Sequence, residues 1–447
     1  MQHFKRHRRL YRFFMRRNRF THSQWAGGTI LLVCALVAIL LANLDATREL
    51  YHRFWQQKVT LGVEGFGLSN RTVEEWINDG LMVVFFFAVG LEIKREIIAG
   101  QLSTLKQAGL PIAAAVGGML FPALIYLAFN IGGPAESGWG IPTATDIAFA
   151  LGVLSLLGDR VPLSMKVFLT ALAIVDDLGA ILLIALFYSS HIDWGMLTAA
   201  AVTFSFLFML NRLKVYRMKY YILPSLLLWI LFLHSGIHAT IAGVIVAMTI
   251  PSTPRYSKKY FIYKVKNLYK AFVYEDRKEV EVLGNEKQHE YLQAIRLISR
   301  NAISPSQRLE YALHPTVTFF IMPLFALANA GVEIDTARLG TLVSAQSLGI
   351  FFGLILGKPL GIFLLSRFTV RLGWCVKPAG ISWMTFLAVA CLGGIGFTMS
   401  IFIDTLAFDD PAMVSTGKAA ILLASFTAGF IGWLMITLAS KLKTHPR

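Results

Sequence analysis

The chain is built from long apolar stretches, and these restrict its fold more than any other feature of the sequence. A helix needs about 20 apolar residues to cross the hydrocarbon of a bilayer, with about 17 as a lower limit. Inside hydrocarbon, only a helix or a closed barrel satisfies its own backbone polar groups. We count twelve stretches: 26–43, 80–99, 109–130, 141–157, 167–188, 196–211, 220–234, 236–250, 314–331, 346–366, 379–405 and 416–440. They predict an all-α polytopic membrane protein of about twelve transmembrane helices.

Composition excludes a water-soluble protein of this length. Only 15% of the 447 residues are charged and 55% are hydrophobic, whereas soluble domains carry about 25% charged residues. The net charge of +16 could indicate nucleic-acid binding, but the basic residues lie in the connections between apolar stretches. We therefore expect no nucleic-acid partner. The three cysteines have no CxxC spacing, so we expect neither a disulfide nor a metal site.

The basic residues also predict the orientation in the membrane. If the N-terminus lies inside the cell, the great majority of the 42 lysines and arginines fall in inside connections, as the positive-inside rule requires. Both termini should then be cytoplasmic. The first apolar stretch is longer than the 7–15 residues of a signal-peptide core, so we interpret it as a retained span.

The connections divide the chain into parts of different character. Residues 54–70 mix β-branched, aromatic and glycine residues, which fits either a small hairpin or an irregular loop. Residues 252–308 are strongly charged, and EYLQAIRLI within them predicts a short amphipathic helix; a solvated loop is favoured over a regulatory module. The predicted organisation is a basic cytoplasmic N-terminus 1–25, helices one to eight in 26–251 with a periplasmic connection 44–79, a cytoplasmic loop 252–313, helices nine to twelve in 314–440, and a cytoplasmic C-terminus 441–447.

Four ionisable residues lie where the hydrocarbon of the bilayer should be: Asp146, Asp176, Asp177 and Lys358. Facing lipid unpaired, they would together cost on the order of 10–14 kcal/mol, so they must face one another, backbone dipoles or water. Three acids and one base exceed what a structural ion pair needs. Adjacent helical residues project about 100° apart, so one of Asp176 and Asp177 can meet a partner while the other faces a cavity. There, protons and cations would compete for the same oxygens.

Two predicted spans are interrupted at corresponding positions. The fourth, GIPTATDIAFALG, contains Pro142 and the hydroxyls of Thr143 and Thr145; the eleventh, LAVACLGGIGFTMSIFI, contains three glycines near its middle. Ordinary packing of small residues would explain each alone. Together they predict two broken, crossing helices within inverted repeats, as in secondary transporters. In that arrangement Asp146 could neutralise the helix N-termini and Lys358 the C-termini.

Lys358 follows a row of small residues in FFGLILGKPLGIF. Gly353, Gly357 and Gly361 recur every four residues, which predicts a close approach of the tenth span to a neighbouring helix. A buried lysine needs an acidic partner, and the sequence leaves both Asp176 and Asp177 open for this role.

These motifs carry a resemblance to a known family. The strings WINDGLMVVFFFAVGLEIKRE, GIPTATDIAFALG, LAIVDDLGAI, HSGIHATIAGV, LHPTVTFFIMPLFALANAGV and LGKPLG closely resemble the NhaA-type sodium/proton antiporters. The matches follow the order of the family and cover nearly the whole membrane region. This family is itself a standard example of inverted-repeat transporters.

The resemblance implies an electrogenic, pH-regulated exchanger of Na⁺ or Li⁺ for protons, which is not an enzyme and has no cofactor. It implies that Asp177 is the main carboxylate for the cation and the proton, and that Asp176 joins it in holding the transported Na⁺ while pairing with Lys358. Thr145 and Asp146 would belong to the crossing of the broken helices, near the bound ion, so that they and Lys358 form the cation- and proton-binding site with the aspartate pair. It further implies a homodimer in contact with membrane lipid, in a bacterial inner membrane.

The resemblance also implies residues that regulate transport by pH. They are Glu92, Arg95, Glu96, Glu310 and His314, with His238 as a separate histidine; taken singly, each would fit an interfacial anchor or a structural residue. Tyr311 and Gln307 depart from the family pattern, and the 252–308 loop is longer than usual. The pH of activation, the stoichiometry and the preference among Na⁺, Li⁺ and K⁺ stay open.

Two other functions, a protease and a channel, fit the sequence less well. An intramembrane aspartyl protease carries its aspartates on different helices with a GxGD motif, and the nearest string here is LLGD at Asp159. Adjacent acids on one helix suit cation binding better than activation of water between two carboxyls. A channel would be expected to show a repeated filter motif, which the sequence lacks.

Overall fold

The computed structural model of the chain describes residues 24–59, 71–189, 192–276, 286–333, 343–378 and 380–443. Within them the protein is helical, with one short two-stranded ladder. Strand β1, Lys58–Val59, pairs antiparallel with β2, Arg71–Thr72, and Lys58 lies opposite Thr72. Strand β1 lies within residues 54–70, for which the sequence left a hairpin and a loop open, and β2 follows directly after them. Residues 60–70 lie outside the described residues.

The first part of the chain forms ten helices. A π-helical turn, Ile77–Leu81, joins the third to the fourth, and a 3₁₀ helix, Glu136–Thr143, precedes the sixth. The helices are α1 Gln24–Asn43, α2 Arg48–Trp55, α3 Val73–Trp76, α4 Met82–Ala99, α5 Leu105–Asn130, α6 Ile147–Leu156, α7 Leu163–Phe187, α8 Trp194–Arg212, α9 Lys219–Ser235 and α10 Thr240–Thr249. A 3₁₀ turn, Gly158–Arg160, leads into α7.

The remaining helices begin with a pair that follows α10. They are α11 Lys258–Asp276, α12 Glu286–Ala302, α13 Pro305–Thr316, α14 Met322–Asn329, α15 Ala345–Phe352, α16 Lys358–Arg371, α17 Trp383–Gly393, α18 Phe397–Ala407 and α19 Pro411–Lys443. Helix α12 contains the segment predicted to be amphipathic. Helix α11 was not predicted.

Among the described residues, eight helical segments are long and apolar enough to cross a membrane; three of them, such as Pro305–Asn329, join neighbouring elements named above. The number is nine if the pair α17 and α18, bent by 46°, counts as one span. Helices α9 and α10 are shorter, and α4 carries charged residues in its last turns. The prediction of an all-α polytopic membrane protein is confirmed at this level.

Two π-helical turns lie just before prolines. The turn Val317–Ile321 joins α13 to α14 ahead of Pro323, and Gly353–Gly357 joins α15 to α16 ahead of Pro359. Proline has no backbone N–H, and its ring collides with the carbonyl four residues earlier. A wider turn accommodates both constraints without ending the helix. The two long helices therefore continue through their prolines.

Helices α5 and α16 pack with their backbones nearly touching. A side chain on Gly361 would overlap the carbonyl of Gly117, and one on Gly117 would overlap the carbonyl of Gly361. A side chain on Gly357 would meet the backbone of Pro122, 2.7 Å away. The predicted close approach at the glycine row is thus confirmed, and α5 is the neighbour. Lys358, at the start of α16, is consequently fully buried.

Candidate functional site

The non-helical breaks before α6 and before α18 meet. The chain is extended at Ala144–Asp146, between the 3₁₀ helix and α6, and α17 stops at Gly393 before α18 begins. The backbone N–H of Asp146 donates to the carbonyl of Ile395 at 2.7 Å. The Thr145 hydroxyl lies 2.8 Å from the Gly393 carbonyl and 2.7 Å from Asp176 Oδ2, so its proton can serve either acceptor. Both breaks therefore border the aspartate pair.

Asp146 lies between two helix N-termini. Its Oδ1 accepts the backbone N–H of Phe149 at 2.9 Å and so caps α6. Its Oδ2 accepts the backbone N–H of Thr398 at 3.1 Å, in the first turn of α18, and the Thr398 hydroxyl as well. The positive ends of two helix dipoles thus face one fully buried carboxylate, which is a favourable arrangement. The position matches the one expected from the sequence.

Asp176 forms an ion pair with Lys358. Lys358 Nζ lies 2.9 Å from Asp176 Oδ2, and neither side chain is exposed. Lys358 also donates to the carbonyl of Thr143, the last residue of the 3₁₀ helix. The sequence left two acids open as partners, and the structure selects Asp176. The pair links α7 to α16 beside the crossing.

Asp177, one residue further along α7, faces a cavity. The cavity has a volume of about 380 Å³, and Asp146 and Thr170 also line it. Asp177 is buried, and its Oδ1 has no hydrogen-bond partner among the described residues. The two adjacent carboxylates therefore have different surroundings: one is paired and sealed, and the other borders open space. The 100° step between successive helical residues produces this difference.

A cluster of charged residues lines the same cavity. Arg95, on α4, donates from Nε to Glu310 Oε1 at 2.8 Å and lies 2.9 Å from Glu96 Oε1. Glu92 is 4.0 Å from Arg95 and lines the cavity together with Glu310, Tyr311 and His314. One arginine thus holds carboxylates from two helices, α4 and α13. The structure brings together five of the six residues expected to act in pH regulation.

His238 is the one that lies apart. It occupies the connection between α9 and α10, and its Nε2 is 2.7 Å from the carbonyl of Tyr188, just past the end of α7. It is not among the residues that line the cavity. In this conformation its contact is with the backbone near the end of α7 and not with the charged cluster.

A further buried acid lies in the helical region and was not predicted. Asp404, on α18, is fully buried, and neither of its carboxylate oxygens has a hydrogen-bond partner among the described residues. A side chain at Gly417, on α19, would overlap its carboxylate. The neighbouring Lys418 lies 3.1 Å from Glu74 Oε1. The predicted apolar stretch 379–405 ends one residue after Asp404, so the acid lies at the end of that stretch in the sequence. Listing every ionisable residue within the stretches would have found it.

Lys94 is a second residue that sequence reasoning did not single out. Its Nζ donates to the carbonyls of Met248 at 2.7 Å and Ile250 at 2.5 Å. These acceptors lie at the C-terminal end of α10, where a positive charge is favourable. Lys94 therefore fixes the end of α10 against α4.

Comparison with known proteins identifies the family. The family model described as Na⁺/H⁺ antiporter 1 matches residues 18–436. A Na⁺/H⁺ antiporter NhaA of Oleidesulfovibrio alaskensis is 48% identical over 94% of this chain and 92% of its own length. NhaA 2 of Syntrophotalea carbinolica is 47% identical over 95% and 97%, and NhaA of Escherichia coli O139:H28 is 44% identical over 94% and 98%. Because the family model covers nearly the whole chain and these relatives are 44–48% identical over at least 94% of it, the chain belongs to the NhaA family of Na⁺/H⁺ antiporters.

Proposed function

We propose that the chain exchanges Na⁺ or Li⁺ for protons across a bacterial inner membrane, and that Asp177 and Asp176 bind both ions. Family membership supports the exchange itself. The contact of Asp177 with a cavity that Glu92, Arg95 and Glu310 also line, while Asp176 is paired with Lys358, is the structural observation that carries the site assignment. The chain is a transporter and not an enzyme, and its ions are cargo, so no resident cofactor is invoked.

Exchange follows from competition for carboxylate oxygens. A hard cation such as Na⁺ favours oxygen ligands, and Asp177 offers two carboxylate oxygens at the cavity wall. A proton on that carboxylate removes the charge that attracts the cation. Protons entering from outside therefore displace the cation, and the proton must leave before the next cation binds inside. The two adjacent acids should titrate as a coupled unit.

Lys358 and Asp146 hold the machinery in place. Lys358 neutralises Asp176 and the carbonyl end of the 3₁₀ helix, and Asp146 neutralises the N-termini of α6 and α18. Thr145, which precedes Asp146 in the chain, donates its hydroxyl to Asp176 and so connects Asp146 with the Asp176–Lys358 pair. We propose that this assembly moves as the exchanger alternates access. The cavity shared by Asp177 and the charged cluster then corresponds to a state open to the cytoplasm.

The twelve-span topology belongs to this proposal. The shorter helices α9 and α10 and the charged α4 would complete the set of spans that length and composition alone do not include. The fourth span would comprise the 3₁₀ helix with α6, and the eleventh α17 with α18, in repeats that relate spans three to five with spans ten to twelve. Both termini and residues 252–313 would be cytoplasmic. Residues 44–79 would lie in the periplasm, with the β1–β2 ladder as the contact of a homodimer surrounded by lipid.

Regulation by pH is assigned to the charged cluster. Glu92, Arg95, Glu96 and Glu310 share one network, and His314 lines the same cavity. Because cations from the cytoplasm would pass these groups to reach Asp177, their net charge controls access. His238 would act separately, through the end of α7.

The test is exchange in vesicles with an imposed pH gradient, to which Na⁺, Li⁺ or K⁺ is added in turn. The reconstituted protein should collapse the gradient on addition of Na⁺ or Li⁺, and Asp177→Asn should not. Asp404→Asn is the matched control, because it also neutralises a buried aspartate but does not border the cavity. Undiminished exchange by Asp177→Asn would refute the site assignment. Na⁺ flux that follows voltage without proton counterflow would indicate a channel instead.

A further inference from the structure

Helices α11 and α12 form a hairpin attached at its base to two spans. Gln288 of α12 donates to the carbonyl of Phe272 of α11 at 3.4 Å, and the backbone N–H of Tyr256 donates to Asn301 at 3.2 Å. The backbone N–H of Ser306, in the first turn of α13, donates to the carbonyl of Pro251 at 3.1 Å. This bond holds the chain that leaves α10 against the start of α13. Residues 277–285, between α11 and α12, lie outside the described residues.

Short connections limit the distance between this hairpin and the membrane-spanning helices next to it in the chain. Eight residues separate Thr249 at the end of α10 from Lys258, and two separate Ala302 from Pro305. Since an extended chain spans at most about 3.6 Å per residue, the start of α11 stays within about 30 Å of the end of α10. The end of α12 stays within about 10 Å of α13.

Helix α11 has two different faces. Phe261, Val265, Leu268 and Phe272 are partly buried, and at 100° per residue they occupy one narrow arc, directed toward α12. The opposite arc carries the tyrosine–lysine face, which we define as Lys259, Tyr263, Lys266, Tyr269, Lys270 and Tyr274. The three tyrosines are 63%, 63% and 68% exposed, respectively. Ile262 and Val273 lie on the same arc, and Ile262 is 54% exposed.

The charge of this face has a single sign. The acids of α11 are its last two residues, Glu275, which is buried, and Asp276. Helix α12 instead mixes both signs, as an ordinary solvated helix does: its charged residues are Glu286, Lys287, Glu290, Arg296 and Arg300. The contrast lies within one hairpin, so a general excess of basic residues in the connection does not explain it.

Tyrosines between lysines suit one kind of surface in particular. A tyrosine ring is apolar while its hydroxyl is polar, and tyrosine is therefore enriched at membrane–water interfaces. Lysines next to them attract anionic headgroups, and a helix with one basic aromatic face lies in the interfacial plane. Exposed apolar groups on the same arc indicate a contact surface and not a solvated one.

We propose that the tyrosine–lysine face of α11 binds the anionic phospholipid headgroups of the membrane that holds the spans. Two observations favour these headgroups as the binding partner: their charge is opposite to that of the lysines, and the short connections keep the helix beside that membrane. The lysines at the centre of the arc contact phosphate groups. Tyr269, Ile262 and Val273 on one side, and Tyr263 and Tyr274 on the other, lie at the level of the glycerol backbone. This surface is separate from the exchange site and does not depend on it.

The test uses the full-length protein in vesicles of phosphatidylcholine alone or mixed equally with phosphatidylglycerol. An environment-sensitive fluorophore is attached at Val273→Cys, in a background where Cys34, Cys375 and Cys391 are serine. Quenching by nitroxide-labelled lipid should occur in the mixed vesicles at low salt and should disappear at high salt. The combined variant Lys259→Gln, Lys266→Gln, Lys270→Gln should lower the ratio of docked to undocked helix about a hundredfold.

The matched control is Lys287→Gln, Arg296→Gln, Arg300→Gln, which removes equal charge from α12 and should leave quenching unchanged. Equal quenching in both kinds of vesicle, or no quenching in either, would overturn the proposal. So would equal losses in the two triple variants. Fluorophore self-quenching that rises with the protein-to-lipid ratio in neutral vesicles would show that the face binds a second copy of the chain instead. Sodium-driven exchange, measured in parallel, reports on the proposed function separately.

Discussion

Removing Lys358 should destabilise the folded protein strongly, and the size of the effect follows from the burial of its partner. Lys358 and Asp176 are both fully enclosed, 2.9 Å apart. A methionine at 358 has similar length but no charge, so Asp176 would be left ionised without its counter-charge. Breaking a buried pair in this way costs about 3–5 kcal/mol. The Thr143 carbonyl would lose its donor as well, and the two losses do not simply add because the groups are in contact.

A second substitution separates charge from packing. In the double variant Lys358→Met, Asp176→Asn, the buried charge is gone, so most of the lost stability should return. Lys166→Met is the control. Lys166 lies on α7, as Asp176 does, and donates to the Gly158 carbonyl at 3.0 Å, but it has no carboxylate partner among the described residues. That variant should lose only about 1 kcal/mol.

Thermal unfolding in detergent, without added Na⁺ or Li⁺, ranks the four proteins. Lys358→Met should have the lowest midpoint, the double variant an intermediate one, and Lys166→Met a midpoint close to the unsubstituted protein. If Lys358→Met unfolds at the temperature of the unsubstituted protein, the pair contributes nothing and the reasoning fails. If the double variant is less stable than Lys358→Met, the loss reflects packing and not charge.

Three further substitutions test other contacts. Gly361→Ala should lower stability by about 1–3 kcal/mol because the new methyl group overlaps the Gly117 carbonyl; an unchanged unfolding midpoint would mean that α5 and α16 separate easily. Thr398→Val keeps the backbone N–H but removes the hydroxyl donated to Asp146, so it should cost about 1.5–3 kcal/mol and slow exchange in vesicles; a normal exchange rate would show that this bond is dispensable. Asp404→Leu should raise the unfolding midpoint, since it relieves about 1–3 kcal/mol of an unsatisfied buried group; a fall would show that the carboxylate has a partner in another conformation.

The sequence predicted the parts of the site for which membrane burial leaves few alternatives. Asp146, Asp176 and Lys358 lie in apolar stretches, where a charge requires a partner, and the structure gives each of them one. The glycine row around Lys358 predicted close packing because a small side chain at every fourth position permits little else. These inferences depend on local pattern and on depth in the membrane, and both can be read from sequence.

Other features depend on where distant helices lie. Asp176 and Asp177 differ only by a rotation of 100° on α7, so the residue pattern alone could not decide the partner of Lys358. The family resemblance implied Asp176, and the placement of α16 agrees with it. The burial of Asp404 near a helix end results from its contact with α19. Helix α11 resembled a solvated loop in sequence because its basic face lowers the apolar content of the stretch. Periodicity over 258–276 would have separated its two faces.

Asp404 and Gly417 constrain each other's replacement over evolutionary time. Since any side chain at 417 would occupy the volume of the Asp404 carboxylate, a larger residue there is tolerated only after position 404 has become smaller. The reverse order passes through an intermediate with overlapping atoms. In descendants of this chain the two positions should therefore change in a fixed sequence, first 404 and then 417. In a protein with a smaller residue at 404, a side chain at 417 would fit without this overlap.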